Sequence, residues 1–238
     1  MSKLSDYRLL SFDVYGTLVN WEAGILSALE PALSKANAKY TPEQILTVYQ
    51  ALESSQQTIT PDMPYSQLLA TIYPLLAQNL KLPIATEEDC RRFGDSVGHW
   101  PAFSDTVDAL RRLSKHYKLV VLSNVDRDSF AKTNAGSLQN FPFDMIITAQ
   151  DIGSYKPNLR NFEYMLEAVK KEFGIERDQV LQTAQSQFHD HHPAKKVGLK
   201  TAWIVRPGAI MGNLGEEIYD WKFNTLGEMA DALEKETK

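Results

Sequence analysis

The sequence predicts an α/β fold: a parallel sheet with helices on both faces, interrupted after its first strand by an all-helical insertion. Three observations carry this. Short apolar runs alternate with helical patterns through the second half of the chain. Each run is apolar along most of its length, as a strand buried on both faces must be. The stretch over residues 21–100 holds helical patterns with no strand run among them.

In chain order, Leu9-Leu10-Ser11-Phe12-Asp13-Val14 is broken by Gly16-Thr17 and reads as a buried strand ending in a turn. Inside the insertion, Thr41-Pro42-Glu43-Gln44 is a capping box with proline at the first helical position, opening a helix through Gln56. Helices over 65–80 and 86–97 follow. Ser104 opens a helix over 105–117, and further strands are expected over 119–122, 143–148, 180–183 and 201–205. Phe162, Leu166, Val169 and Phe173 share one face of a helix over 158–173 that Gly174 stops. Thr225 with Glu228 makes a capping box for the last helix. Residues 1–20 and 101–238 then form the sheet core. Residues 21–100 form a helical cap at the carboxyl end of the first strand, where open α/β sheets bind ligands, and act as a lid.

The chain has 238 residues, 43% hydrophobic and 23% charged, which suffices for a large core. Its net charge of −5 excludes the basic footprint of a nucleic-acid binder. One cysteine, Cys90, excludes an internal disulfide framework and is expected to be structural. No stretch approaches the roughly 18 apolar residues of a membrane span, and residues 1–8 are polar. A cytoplasmic location with no membrane partner is the default expectation.

Asp13 lies where a buried strand meets a Gly-Thr turn, so a carboxylate can face a cleft while turn N–H groups point at what it attacks. Alone it reads more readily as a turn cap. However, Ser123-Asn124 end the second strand run, Lys156 follows the third and Asp190 follows the fourth. Each has a bland reading as a surface residue. Together they deliver polar groups to one edge of the sheet.

This ordered set resembles the haloacid dehalogenase superfamily. Asp13-Val14-Tyr15-Gly16-Thr17-Leu18 matches its first motif, Ser123-Asn124 its second, Tyr155-Lys156-Pro157 its third and Asp190 its fourth. The resemblance implies a Rossmann-like core with a helical cap after the first motif. In phosphatases of the superfamily the residue two after the nucleophile is an aspartate that protonates a departing alkoxide. Tyr15 stands there, as in the L-2-haloacid dehalogenase branch. Halide needs no proton to leave, and a phenol with a pKa near ~10 is a poor acid. Magnesium-dependent members carry an aspartate five residues before the fourth-motif aspartate. Gln185 stands there, and its amide is a weaker ligand for a hard cation.

What the resemblance implies is a hydrolase without a cofactor, acting on a small anionic substrate, a 2-halo acid. Asp13 attacks the halogen-bearing carbon, giving an ester that water hydrolyses. Lys156 offsets the charge of Asp13, Thr17 and Ser123 orient the nucleophile, and Asp190 holds Lys156 or the hydrolytic water. Val14, Tyr15, Asn124, Ser186, Gln187 and Tyr49 are the expected substrate contacts. Homodimers are common among such relatives. A first alternative is a small-molecule phosphatase holding Mg²⁺ on Asp13, Tyr15 and Asp190. A second is a binding protein that has kept the scaffold without the chemistry.

The match has departures. An arginine in the first cap helix embraces the substrate in characterised members; an ungapped alignment puts Tyr49 there, and residues 41–57 hold no arginine. Gln185 and Gln187 replace a serine and an asparagine, and Phe162 replaces a tyrosine. His189, His191 and His192 surround Asp190, but side chains adjacent in sequence rarely converge on one metal ion, so they read as solvent-facing or supporting groups. Arg91-Arg92 and Arg111-Arg112 read as solvated helix faces, Trp203 as core or cleft wall, and Arg206 as the exit of its strand. Tyr65, Tyr73 and Trp100 could line the inner face of the cap or simply pack within it.

Overall fold

The computed structural model describes residues 2–212 and 216–238. Strand β1 (Leu9–Phe12) leads through a tight turn into four helices, α1 (Trp21–Ala36), α2 (Pro42–Ile59), α3 (Tyr65–Asn79) and α4 (Glu87–Asp95). Then come α5 (Thr106–Leu113), β2 (Lys118–Ser123), α6 (Arg127–Ala135), β3 (Met145–Thr148), α7 (Ala149–Ile152) and α8 (Leu159–Phe173). The chain closes with β4 (Val180–Ala184), α9 (His192–Lys196), β5 (Lys200–Ile204), β6 (Trp221–Phe223) and α10 (Leu226–Glu236).

The strands lie in the order β3-β2-β1-β4-β5-β6 and every pairing is parallel. Because successive strand side chains point to opposite faces, β1 splits its apolar residues. Leu9 packs with Phe162, Met165 and Val169 of α8, whereas Leu10 and Phe12 join Leu110 and Leu113 of α5 and Met229 and Leu233 of α10. The strand order reverses direction at β1, between β2 and β4, so the carboxyl ends of these three strands frame a crevice.

Helix ends follow local chemistry. Thr41 and Gln44 form the reciprocal cap expected for α2, which runs three residues beyond Gln56 to Ile59. The helix read over 86–97 is instead α4 followed by a 3₁₀ turn, Ser96–His99. Helix α5 is N-capped at Asp105, not Ser104, and ends at Leu113. The Asp105 carboxylate does not cap its own helix, because it accepts from Arg206 Nη1 at 2.5 Å and Gly227 N–H at 3.0 Å. The Thr225 cap of α10 forms, but Glu228 reaches the Asn224 N–H rather than the Thr225 N–H. Strand β6 was not legible: three half-exposed or exposed residues make too short a run to read. Among the described residues no helix is long and apolar enough to cross a membrane.

Candidate active site

The turn after β1 shapes the site. The Val14 carbonyl accepts N–H groups from Thr17, Leu18 and Val19, and Gly16 sits at φ +104°, where a side chain is strained. A Cβ there would also meet Gln185 Oε1 at 3.2 Å and Trp21 Nε1 at 3.3 Å. This turn aims Asp13 into a cavity of about 410 Å³ lined also by Tyr15, Asn124, Lys156, Ser186 and Asp190.

Asp13, Thr17, Lys156 and Asp190 form one buried set. Thr17 Oγ1 accepts the Gln185 N–H at 2.9 Å, so its own proton is directed at Asp13 Oδ2, 2.6 Å away. Lys156 Nζ donates to Asp13 Oδ1 at 2.9 Å and to Asp190 Oδ1 at 2.7 Å, with its side chain 1% exposed. The two carboxylates hold the ammonium charged against the cost of its burial. Asp190, fully buried, also accepts from Gln182 Nε2 at 3.0 Å, and desolvation pushes its carboxyl up to about 7. Its Oδ2 has no hydrogen-bond partner among the described residues.

Asn124 clamps the lysine segment from both sides: its Oδ1 accepts the Lys156 N–H at 2.7 Å and its Nδ2 donates to the Lys156 carbonyl at 2.9 Å. Ser123 ends β2 with its Oγ buried and without a partner among the described residues, and it is not one of the cavity-lining residues. The Tyr15 hydroxyl pairs with Thr133 Oγ1 at 2.9 Å, and burial drives the phenol far above its ordinary pKa. Ser186 Oγ accepts the His189 N–H at 3.1 Å, and His189, pushed down to about 4 by burial, is a neutral imidazole at neutral pH.

Three expected substrate contacts are corrected. Val14 is wholly buried, and it serves the turn through its carbonyl. Gln187 is buried facing away from the cavity, where its Oε1 accepts the Ile218 N–H at 3.0 Å. Tyr49 is fully buried behind the cavity wall, because its hydroxyl packs 2.7 Å from that of Tyr65. Tyr65 and Glu53 occupy the wall instead, with Tyr65 donating to Glu53 Oε1.

The histidines diverge, since His191 Nε2 meets the Ala184 carbonyl at 2.9 Å while His192 Nε2 meets the Glu216 carbonyl at 3.0 Å. Among the described residues no group of three or more histidine, cysteine or acidic side chains is placed to hold a metal. The residues expected to hold Mg²⁺ fit it poorly: Lys156 already spans both carboxylates, and Gln185 brings an amide whose Nε2 donates to the Met211 carbonyl at 3.0 Å.

Sequence reasoning missed Arg206 and Glu53. Arg206, 3% exposed and at φ +54°, donates to the Thr17 carbonyl at 2.9 Å and stacks 4.1 Å from the Phe103 ring centre. It braces the turn after Asp13 from a distant strand end. Only an unusual arginine directly after an apolar strand hinted at it. Glu53 gave no signal, because a polar residue on an amphipathic helix is expected at any exposed position.

A sequence model for haloacid dehalogenase-like hydrolases matches residues 10–204. An (S)-2-haloacid dehalogenase of Pseudomonas putida is 26% identical over 152 residues, 59% of this chain and 64% of the relative. The match thus spans less than two thirds of that relative's length. A glyceraldehyde 3-phosphate phosphatase of Methanocaldococcus jannaschii is 25% identical over 171 residues, 71% of this chain and 56% of the relative. The structure of the defluorinating L-2-haloacid dehalogenase Rha0230 superposes with a TM-score of 0.81 at 16% identity, covering 98% of this chain and 99% of that one. At that identity the likeness is one of fold.

Proposed function

The chain belongs to the haloacid dehalogenase-like hydrolases, and on that premise we propose that it cleaves a carbon–halogen bond through an ester on Asp13. A 2-halo acid, the substrate named for its dehalogenase relatives, is the first compound to test. One observation carries the reading. Thr17 and Lys156 hold the Asp13 carboxylate at the cavity, while the nearest phenol, Tyr15, is tied to Thr133 and held away from acidity. A leaving group that departs without a proton suits such a site.

In the first step an Asp13 oxygen attacks the carbon, the C–O ester bond forms, and halide leaves with the bonding pair. In the second, water adds to the Asp13 carboxyl carbon and the acyl C–O bond breaks, releasing the alcohol. One water proton ends on the alcohol oxygen. The other passes to Asp190, whose Oδ2 has no partner among the described residues and whose carboxyl is raised by burial toward proton uptake, and from there to solvent. Before attack, Lys156 keeps the Asp13 and Asp190 charges from repelling each other.

The test is halide release from 2-chloropropanoate in EDTA, with a single turnover in heavy-oxygen water. Halide release together with label in the Asp13 carboxylate is expected. Label found only in the product, or undiminished release by Asp13→Asn, would overturn the proposal. A second reading, phosphate-ester hydrolysis, is favoured by the similarity to the M. jannaschii phosphatase. Turnover of p-nitrophenyl phosphate that EDTA abolishes would support it.

A further inference from the structure

The cavity wall opposite the sheet edge comes from α2. Gln50, Glu53, Ser54 and Gln57 recur at helical spacing and all line the cavity. None is cationic. Among the described lining residues Lys156 is the one lysine or arginine, and it is already shared between Asp13 and Asp190. His189 adds no charge near neutrality. The acidic side chains facing the same space are Asp13, Asp190 and Glu53. At the α2 wall an anionic group therefore meets a carboxylate and no cation.

Glu53 is held for a purpose other than pairing with a protein cation. Tyr65 donates to its Oε1, and Tyr49, 3.4 Å from that oxygen, donates at 2.7 Å to the Tyr65 hydroxyl and so holds its proton toward Glu53. Two phenols thus fix one carboxylate oxygen while the other, Oε2, has no partner among the described residues. Four aromatic side chains, Tyr15, Trp21, Tyr65 and Phe188, line the same cavity, and aromatic faces attract cations.

We propose that Glu53 is a recognition site for an ammonium group, so that the substrate carries a protonated amine at the end away from its reacting carbon. The statement about the reacting carbon rests on the proposed Asp13 chemistry; the ammonium site does not. The cavity has room for both ends of such a substrate, since about 410 Å³ far exceeds a three-carbon acid. Where the resemblance implies an arginine for a carboxylate, this chain offers a carboxylate for a cation.

Ligand-observed NMR titrations of the whole chain at pH 8 and low salt, with n-butylammonium and butanoate as probes, test the site. Neither probe reacts, so the outcome is independent of whether Asp13 forms an ester. Butylammonium is expected to bind at least tenfold more tightly than butanoate. Glu53→Gln should remove at least tenfold of that affinity with an unchanged circular dichroism spectrum. Gln57→Lys, on the same face of α2, provides a second variant should the first not fold, and should weaken butylammonium to a similar degree. Butanoate binding as tightly as butylammonium, or an ammonium affinity untouched by whichever variant folds, would overturn the proposal.

Discussion

The two walls of the cavity are built on opposite principles. At the sheet edge most polar groups are tied to a neighbour from another strand end: Thr17 with Gln185, Lys156 with Asp13 and Asp190, Asn124 with the Lys156 backbone. Ser123 Oγ and Asp190 Oδ2 lack a partner among the described residues. On the α2 side the polar groups are half-buried or exposed, and Glu53 keeps one oxygen without a partner among the described residues. A preorganised edge suits bond-making, where atoms must not reorganise as charge develops. An incompletely paired wall suits recognition, where the ligand supplies what is missing.

The most forceful way to break this contrast is to disable the edge alone. Asp13→Asn should lower halide release by ~10³-fold or more while its urea midpoint stays near that of wild type. A folded variant with nearly normal turnover would dissolve the distinction. Lys156→Met should cost about 3–5 kcal/mol in urea unfolding, because it leaves two buried carboxylates without their cation. Adding Asp190→Asn should recover part of that loss.

Acid should sharpen the contrast next. His189 and His191 are pushed down to about 4 by burial, below the ~6.5 of an unfolded histidine. A depressed folded pKa gives stability that is complete above the unfolded value and disappears as pH falls toward the folded one. Each should forfeit about 2 kcal/mol by pH 5. His191→Asn should therefore flatten the fall of the thermal midpoint between pH 7.5 and 5. The smallest effect belongs to the other wall: Glu53→Gln should change unfolding free energy by no more than ~1 kcal/mol. A larger loss would make Glu53 a structural anchor.

The same contrast explains what the sequence disclosed. The five longer strands were legible because each is apolar along most of its length, and Asp13, Ser123, Lys156 and Asp190 were legible because each follows such a run. Position along the chain sufficed. The α2 wall was not, because which of Tyr49, Gln50 or Glu53 meets the cavity depends on how the helix is rotated against Tyr65, a tertiary fact. Gln187 and Val14 failed for a related reason: neighbours in a motif alternate between facing the cavity and facing the core. Arg206 was hidden because its partners, Thr17 and Asp105, lie far away in sequence.

The segment that carries Asp190 inward is a wide π-helical turn, Gln187–His191, seated on the Ser186 cap. Ordinary helical winding advances each residue by about 100°, so the extra residue of a wide turn changes the phase of everything after it. Here the phase sends the carboxylate to Lys156 and the next imidazole to the Ala184 carbonyl. Deleting a single residue before Asp190 would move every later side chain back by one place, presenting the His191 ring to the lysine and turning the carboxylate to where His189 now stands. The winding defect is thus a register device, and lengthening or shortening this turn in a variant should abolish halide release even with Asp13, Lys156 and Asp190 all retained.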